Sequence, residues 1–221
     1  MVLHQYDIIG RRYAKLQRAG TTEEPKITQF IISSALFEGK RILDLGCGTG
    51  DGIRSIRELN PKAVYGLDIS GVMLKEAVRT LGGSKNLVLG SMESIPFENS
   101  SFDIVTAKFC LPYVANLDNT YSEISRVLET GGLLIAVVHH PLMGFVELGS
   151  EDYRSGEDIK IKLGEKVEIF FPHHTLGQYF SEVFFSHFVL GDLKEIDTRY
   201  ADNSNNIPSD IGFKAVKKES Q

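Results

Sequence analysis

The chain has 221 residues, 42% of them hydrophobic and 24% charged, a balance that excludes a disordered, collagen-like or coiled-coil chain. Lys and Arg total 24 against 29 Asp and Glu, a net charge of −5, so no basic excess is present to neutralise a nucleic-acid backbone. Two cysteines, Cys47 and Cys110, make no disulfide framework, and the longest apolar run, Leu133 to Val138, falls far short of the roughly 20 residues of a spanning helix. With no signal pattern in Met1 to Gly10, a cytoplasmic protein with no membrane segment is expected.

Ile27, Phe30, Ile31 and Ala35 share one helical face, with Pro25 in the first turn. Arg41 to Leu45 reads as a strand entering a glycine loop, and Asp51 to Leu59 as a helix stopped by Pro61. Val64 to Leu67 is a second strand. Ser70 caps the next helix, whose inward face is read as Leu74, Ala77, Val78 and Leu81. Leu87 to Leu89 and Phe102 to Ala107 are strands. Leu117, Tyr121, Ile124 and Leu128 form a helical stripe ending at Gly131-Gly132, and Leu133 to Val138 is a strand apolar on both faces. Two alternating runs, Ile159 to Leu163 and Val167 to Phe171, flank Gly164-Glu165 as a β-hairpin. A helix over Thr175 to Phe188 and strands at Leu193 to Asp197 and Gly212 to Val216 complete the chain. Strands alternating with crossover helices predict an α/β fold. The expected architecture is a Rossmann-like, doubly wound, seven-stranded, mostly parallel sheet with a hairpin-and-helix insert near the C-terminus. The whole chain, 1–221, then forms a single domain, with a substrate cap over 139–188.

The chemistry concentrates in Ile42-Leu-Asp44-Leu-Gly46-Cys47-Gly48-Thr-Gly50. A strand feeding a glycine turn into a helix is a nucleotide-type site, because glycine lets the backbone approach a ligand closely. The dinucleotide fingerprint needs a third glycine where Asp51 stands, and no Gly-Lys-Ser/Thr follows for a Walker A loop. Asp44 and Asp51 would repel a pyrophosphate and suit a phosphate-free cation. Asp68, ending the second strand, can accept from both hydroxyls of a ribose.

The run Asp-Leu-Gly-Cys-Gly-Thr-Gly resembles motif I of class I S-adenosylmethionine-dependent methyltransferases. Further landmarks follow in that family's order: Val64 to Ser70, Gly90 to Phe97, Ser101 to Val105 and Glu123 to Gly132. Tyr6 to Tyr13 is similar to the N-terminal helix covering the cofactor in the quinone-biosynthesis-like, small-molecule branch. The resemblance implies S-adenosylmethionine as cofactor and S-adenosylhomocysteine as product. It places cofactor contacts at Tyr13, Asp44, Gly46, Cys47, Gly48, Gly50, Asp68, Ile69, Met73, Ser91, Met92, Glu93 and Lys108. Three departures stand out. Ser91 replaces the usual acidic residue, Thr130-Gly131-Gly132 replaces Pro-Gly-Gly, and Lys108-Phe-Cys-Leu111 stands where adenine and amide methylases carry Asn-Pro-Pro-Tyr.

Methyl transfer from a sulfonium asks mainly for alignment and exclusion of water. The acceptor should lie over the carboxyl ends of the strands, against Phe109, Tyr113 and His174. His139, His140 and His173 are the candidate bases for a hydroxyl or ammonium acceptor. The histidine pairs lack accompanying Cys, Asp or Glu in ligand spacing, so no metal is expected. The expected function is methylation of oxygen or nitrogen on a small molecule, with nucleic acid disfavoured as partner and oligomerisation left open. A catalytically silent cofactor-binding module is the alternative.

Overall fold

The computed structural model describes residues 5–18, 25–33, 35–83, 86–142, 153–154, 156, 158–163, 167–197 and 208–219. The expected Gly164-Glu165 turn and most of the expected 201–209 loop lie outside these. Helix α1 (Gln5–Arg18) and α2 (Pro25–Ser33) precede β1 (Arg41–Leu45), α3 (Asp51–Arg57), β2 (Ala63–Asp68), α4 (Gly71–Leu81) and β3 (Leu87–Leu89). Then come β4 (Phe102–Lys108), a 3-10 turn (Leu111–Tyr113), α5 (Leu117–Val127) and β5 (Leu128–His139). The chain continues through β6 (Asp158–Leu163), β7 (Val167–Pro172), α6 (Leu176–Tyr179), α7 (Glu182–His187), β8 (Phe188–Ile196) and β9 (Asp210–Lys217).

Seven strands form one sheet in the order β3-β2-β1-β4-β5-β9-β8, and β6 and β7 pair as a separate antiparallel hairpin. Strands β1 to β5 pair in parallel, while β9 enters antiparallel between β5 and β8. The fold is the expected Rossmann-like, mostly parallel sheet with flanking helices. Side chains alternate across it. Leu134, Ala136 and Val138 of β5 join Tyr121, Phe184 and Phe213 on one face, and Ile135 and Val137 join Ile27, Phe30 and Ile53 on the other. Burying both faces of a parallel sheet is what makes its strands continuously apolar, and each fully buried large side chain contributes about 1.5–3 kcal/mol. Strand order reverses between β1 and β4, so a crevice opens beyond their carboxyl ends.

Local chemistry sets the element ends. The Ser70 hydroxyl accepts from the Met73 amide at the start of α4, and Gly82 closes that helix in a left-handed conformation. The buried face of α4 is Met73, Glu76 and Ala77; Val78, expected inward, is exposed. The stripe from Leu117 ends at Val127, and Leu128 already begins β5 rather than continuing to Gly131-Gly132. Those glycines lie within the strand, where the pairing with β4 shifts register and a Cβ on Gly132 would meet the Glu129 carbonyl at 2.7 Å. The helix expected over 175–188 is two short ones. Thr175 caps α6 through a capping box with Gln178, and Ser181 caps α7 by accepting from the Phe184 amide. Phe188 then opens β8, which starts earlier than Leu193 because it pairs with β9 along its whole length.

Candidate active site

Strand register brings the loops after β1, β2 and β4 to one edge: Leu45 pairs with Leu67 on one side and Ala107 on the other. Gly46, Gly48 and Gly50 all have positive φ, at 58°, 55° and 81°. A Cβ on Gly46 would lie 2.4 Å from the Cys110 Cβ, and one on Gly50 would press on Ala77 and Leu81 of α4. At Gly48 a Cβ would make only ordinary contacts, with the Met73 methyl and the Gly46 carbonyl, so its backbone conformation is the local demand. Cys47 is buried beneath the loop, and burial pushes its thiol pKa up, as it does for Cys110. Neither is an activated nucleophile.

Asp68 sits at the floor of the crevice. Its Oδ2 accepts from the Gly48 amide and its Oδ1 from the Ser70 amide, each at 2.8 Å. Burial raises its pKa, and these amide hydrogen bonds oppose the rise. Each oxygen keeps a further lone pair, enough for the two O–H donors of a vicinal diol. Behind the loop Asp44 is buried and accepts from the Thr106 hydroxyl at 2.7 Å. Burial lifts its pKa to about 6, against that hydrogen bond and the Lys108 charge. Two carboxylates at a glycine loop disfavour phosphate and suit a cationic, ribose-bearing ligand; this donor set fits S-adenosylmethionine.

The crevice is lined by Gly46, Leu67, Asp68, Ile69, Gly90, Ser91, Met92, Glu93, Tyr113 and Val114. Of the residues expected to meet the cofactor, Gly46, Asp68, Ile69, Ser91, Met92 and Glu93 are therefore brought together. Ser91 turns its hydroxyl to accept from the Glu93 amide. Met73 is buried, packed between the loop and Gly10 of α1, and does not line the crevice. Helix α1 lies across this edge. Asp7 accepts from the Ser70 hydroxyl at 2.6 Å, and Thr49 Oγ1 lies 2.7 Å from Gln17 Oε1. Tyr13 packs edge-on against Tyr6, whose hydroxyl lies 2.8 Å from that of Tyr113. Burial raises the pKa of both Tyr6 and Tyr113, so they are neutral hydroxyls.

The histidines separate by geometry. His140 is buried; its Nδ1 accepts from the Leu142 amide, so Nε2 carries the proton and faces Glu195 at 3.2 Å. Both ring nitrogens of His140 are thus engaged within the protein. His173 is buried with Nε2 donating to the Pro141 carbonyl at 3.1 Å, and it fastens the end of β7 to the segment after β5. His174 donates to the Val114 carbonyl at 2.9 Å, packs on Tyr179 and has its pKa lowered by burial. It braces the turn that carries Tyr113 and does not line the crevice.

His139 differs. Its ring stacks between Phe109, with centroids 4.6 Å apart, and Phe171 at 5.5 Å, both at 22°. Its Nδ1 lies 3.0 Å from Oδ1 of Asp210, the residue opposite it on β9. Asp210 also accepts from the Ser209 hydroxyl at 2.6 Å. Phe171 touches Tyr113 edge-on, which joins this cluster to the crevice. Sequence reasoning missed Ser209 and Asp210. A hydroxyl and an acid opening a β-strand were visible, but their register against β5 was not. Among the described residues no group of three or more His, Cys, Asp or Glu gathers for a metal, and no helix is long and apolar enough to cross a membrane.

Residues 43–136 match the family described as "Methyltransferase domain". A demethylmenaquinone methyltransferase of Symbiobacterium thermophilum is 35% identical over 129 residues, 55% of this chain and 51% of that protein. A malonyl-[acyl-carrier protein] O-methyltransferase of Legionella pneumophila is 35% identical over 115 residues, 47% of this chain and 40% of that protein. The chain thus spans about half or less of the length of these curated relatives. The solved structure of an S-adenosylmethionine-dependent methyltransferase from Mesorhizobium loti superposes with a TM-score of 0.66 at 19% identity, covering 85% of this chain and 95% of that one. With the glycine loop, the carboxylate after β2 and the strand order all in place, residues 43–136 are similar to a methyltransferase domain, and the chain shares its fold with solved S-adenosylmethionine-dependent methyltransferases.

Proposed function

We propose that this chain transfers the methyl group of S-adenosylmethionine to an oxygen or nitrogen of a small-molecule acceptor. The carrying observation is Asp68, fixed by the Gly48 and Ser70 amides in a crevice that offers two carboxylates and apolar walls. On this reading Asp68 holds the ribose. Ile69, Met92, Ser91 and Glu93 enclose the adenine, and the 46–50 loop with Asp44 and Lys108 receives the amino-acid tail. Tyr13 closes over the cofactor from α1, while Cys47 and Met73 shape the loop from behind. When bound, S-adenosylmethionine supplies a methyl group on a sulfonium, a carbon already primed for displacement. The protein's work is then alignment and exclusion of water, and Phe109 and Tyr113 are placed for the acceptor side. The net charge of −5 favours a small molecule over nucleic acid. Free, buried Cys47 and Cys110 fit a reducing cytoplasm.

The test is calorimetric titration with S-adenosylmethionine, S-adenosylhomocysteine and a nicotinamide dinucleotide. The first two should bind and the third should not. Asp68→Ala should weaken both by about 30- to 150-fold with the fold intact, the loss expected for roughly 2–3 kcal/mol of charge-assisted hydrogen bonding. Unchanged affinity in Asp68→Ala would remove the assignment. Binding with no S-adenosylhomocysteine released across an acceptor panel would make the chain a silent binding module.

A further inference from the structure

We infer that His139, oriented by Asp210, takes the proton from an acceptor hydroxyl carried on a planar aromatic ring; the inference rests on the methyl-transfer reading above. Three observations meet at this residue. The first is the hydrogen bond. Asp210 is 2% exposed and its two oxygens are matched to Ser209 Oγ and His139 Nδ1, so the carboxylate is fixed and dry. A carboxylate accepts only, so Nδ1 must carry the hydrogen, and the lone pair is left on Nε2. Among the described residues Nε2 has no hydrogen-bond partner, and the side chain stays 29% exposed. The same bond that fixes the tautomer leaves the basic nitrogen available, a condition none of His140, His173 and His174 meets.

The second observation is the clamp. Phe109 and Phe171 cover the two faces of the imidazole, so only its edge is left to meet a ligand. Phe109 holds φ at 55°, a conformation that bulky residues avoid and that is found where the surroundings over-determine it. Its amide bonds to the Val137 carbonyl at 2.8 Å, locking the turn after β4 against β5. The third is position. β4 and β5 run parallel to β1 and β2, so His139 stands at the same sheet edge as the glycine loop and Asp68. From Phe171 the ring contacts run to Tyr113, which lines the crevice, and on to Tyr6.

Aromatic walls favour a flat acceptor, and the strength of an imidazole sets the kind of hydroxyl. A phenol, with a pKa near 10, is within its reach, while an aliphatic alcohol is far weaker as an acid. In the step, the phenol O–H gives its proton to Nε2 of His139, and an oxygen lone pair forms the new bond to the methyl carbon. The carbon–sulfur bond breaks with its electron pair going to sulfur, leaving a neutral thioether. The imidazolium then returns its proton to solvent. Asp210 touches none of the reacting atoms and is a positioning residue.

Two phenols serve as probes: 4-methylphenol, an ordinary phenol, and 4-nitrophenol, which its nitro group makes far more acidic. In His139→Gln, methylation of 4-methylphenol should fall by about 100-fold or more and that of 4-nitrophenol by less than about 5-fold, because an acidic phenol ionises unaided. S-adenosylmethionine affinity should stay within about twofold of the parent. Asp210→Asn should show a smaller loss with the same dependence on phenol acidity. A readout independent of turnover is the ¹⁵N spectrum of the His139 ring above neutral pH: Nδ1 protonated and Nε2 bare in the parent, mixed tautomers in Asp210→Asn. Equal losses for the two phenols, no loss in His139→Gln, a protonated Nε2 in the parent, or methylation of neither phenol by protein that binds S-adenosylmethionine would each overturn the inference. Failure of the parent to bind S-adenosylmethionine would instead overturn the methyl-transfer reading.

Discussion

Gly46 and Gly48 are two residues apart and differ in what they protect. A side chain on Gly46 collides with Cys110 inside the core, whereas one on Gly48 makes ordinary contacts, with the Met73 methyl at 3.5 Å and the Gly46 carbonyl at 3.8 Å, and meets an unfavourable φ. Gly46→Ala should therefore lower the melting temperature outright. Gly48→Val should keep a near-native circular dichroism spectrum, at a backbone cost of about 1–2 kcal/mol, and lose cofactor binding. Asp44 carries a different liability. Its folded pKa of about 6 lies above the usual 3.8 because it is buried. The folded state then holds the proton more tightly than the unfolded chain, so stability falls as pH rises between those two values. The loss amounts to about 3 kcal/mol above pH 6. Asp44→Asn should raise the melting temperature of the ligand-free protein by several degrees at neutral pH and by little near pH 4, as read in thermal melts across pH. The glycine loop and Asp68 were legible in the sequence because their meaning is local: a strand, a turn and the next strand's end. The pairing of His139 with Asp210 was not, because it joins residues 71 apart through a strand register.

Among the elements, α1 and the β6–β7 hairpin depend on each other. The Gln5 side chain exchanges hydrogen bonds with both backbone groups of Phe170, in the manner of an added strand. Tyr6, Ile9 and Leu16 of α1, with Tyr113, pack on Ile159, Val167, Ile169 and Phe171. The insert, read from sequence as a substrate cap over 139–188, thus also braces the helix that lies across the crevice edge. Phe171→Ala removes a buried ring from this small cluster, a change that costs about 3–5 kcal/mol in a well-packed core. The main sheet should survive it while α1 loosens. Limited proteolysis at the exposed Arg11 and Arg12 should accelerate several-fold, with far-ultraviolet circular dichroism nearly unchanged. Alternation in the hairpin strands was plain in the sequence. The split of the expected 175–188 helix was not, because Ser181 reads as an ordinary helical residue until its hydroxyl is seen capping α7 and donating to Asp118.

For the whole molecule, ligand linkage supplies the simplest check of the cofactor reading. S-adenosylmethionine at about 100 times its dissociation constant should add about 2.7 kcal/mol of stability. For a chain of this size that is a rise of about 5–10 °C in melting temperature. Duplex DNA or RNA should produce no shift, in keeping with the acidic balance. The strand count and the mostly parallel order followed from alternating helices and strands. That β9 would slot between β5 and β8 is a matter of topology that periodicity does not encode.

That slot has a consequence for biosynthesis. A ribosome delivers β5 and β8 before β9, yet in the finished sheet neither touches the other except through β9. Until residues 210–217 emerge, β5 presents an open, apolar edge and His139 has no carboxylate beside it. The strand β9 thus closes the sheet and supplies Asp210 in the same event. A nascent chain halted before residue 210 should be prone to edge-to-edge association, and no such chain can hold a formed His139–Asp210 pair, so that pair and the seven-stranded sheet come into being together.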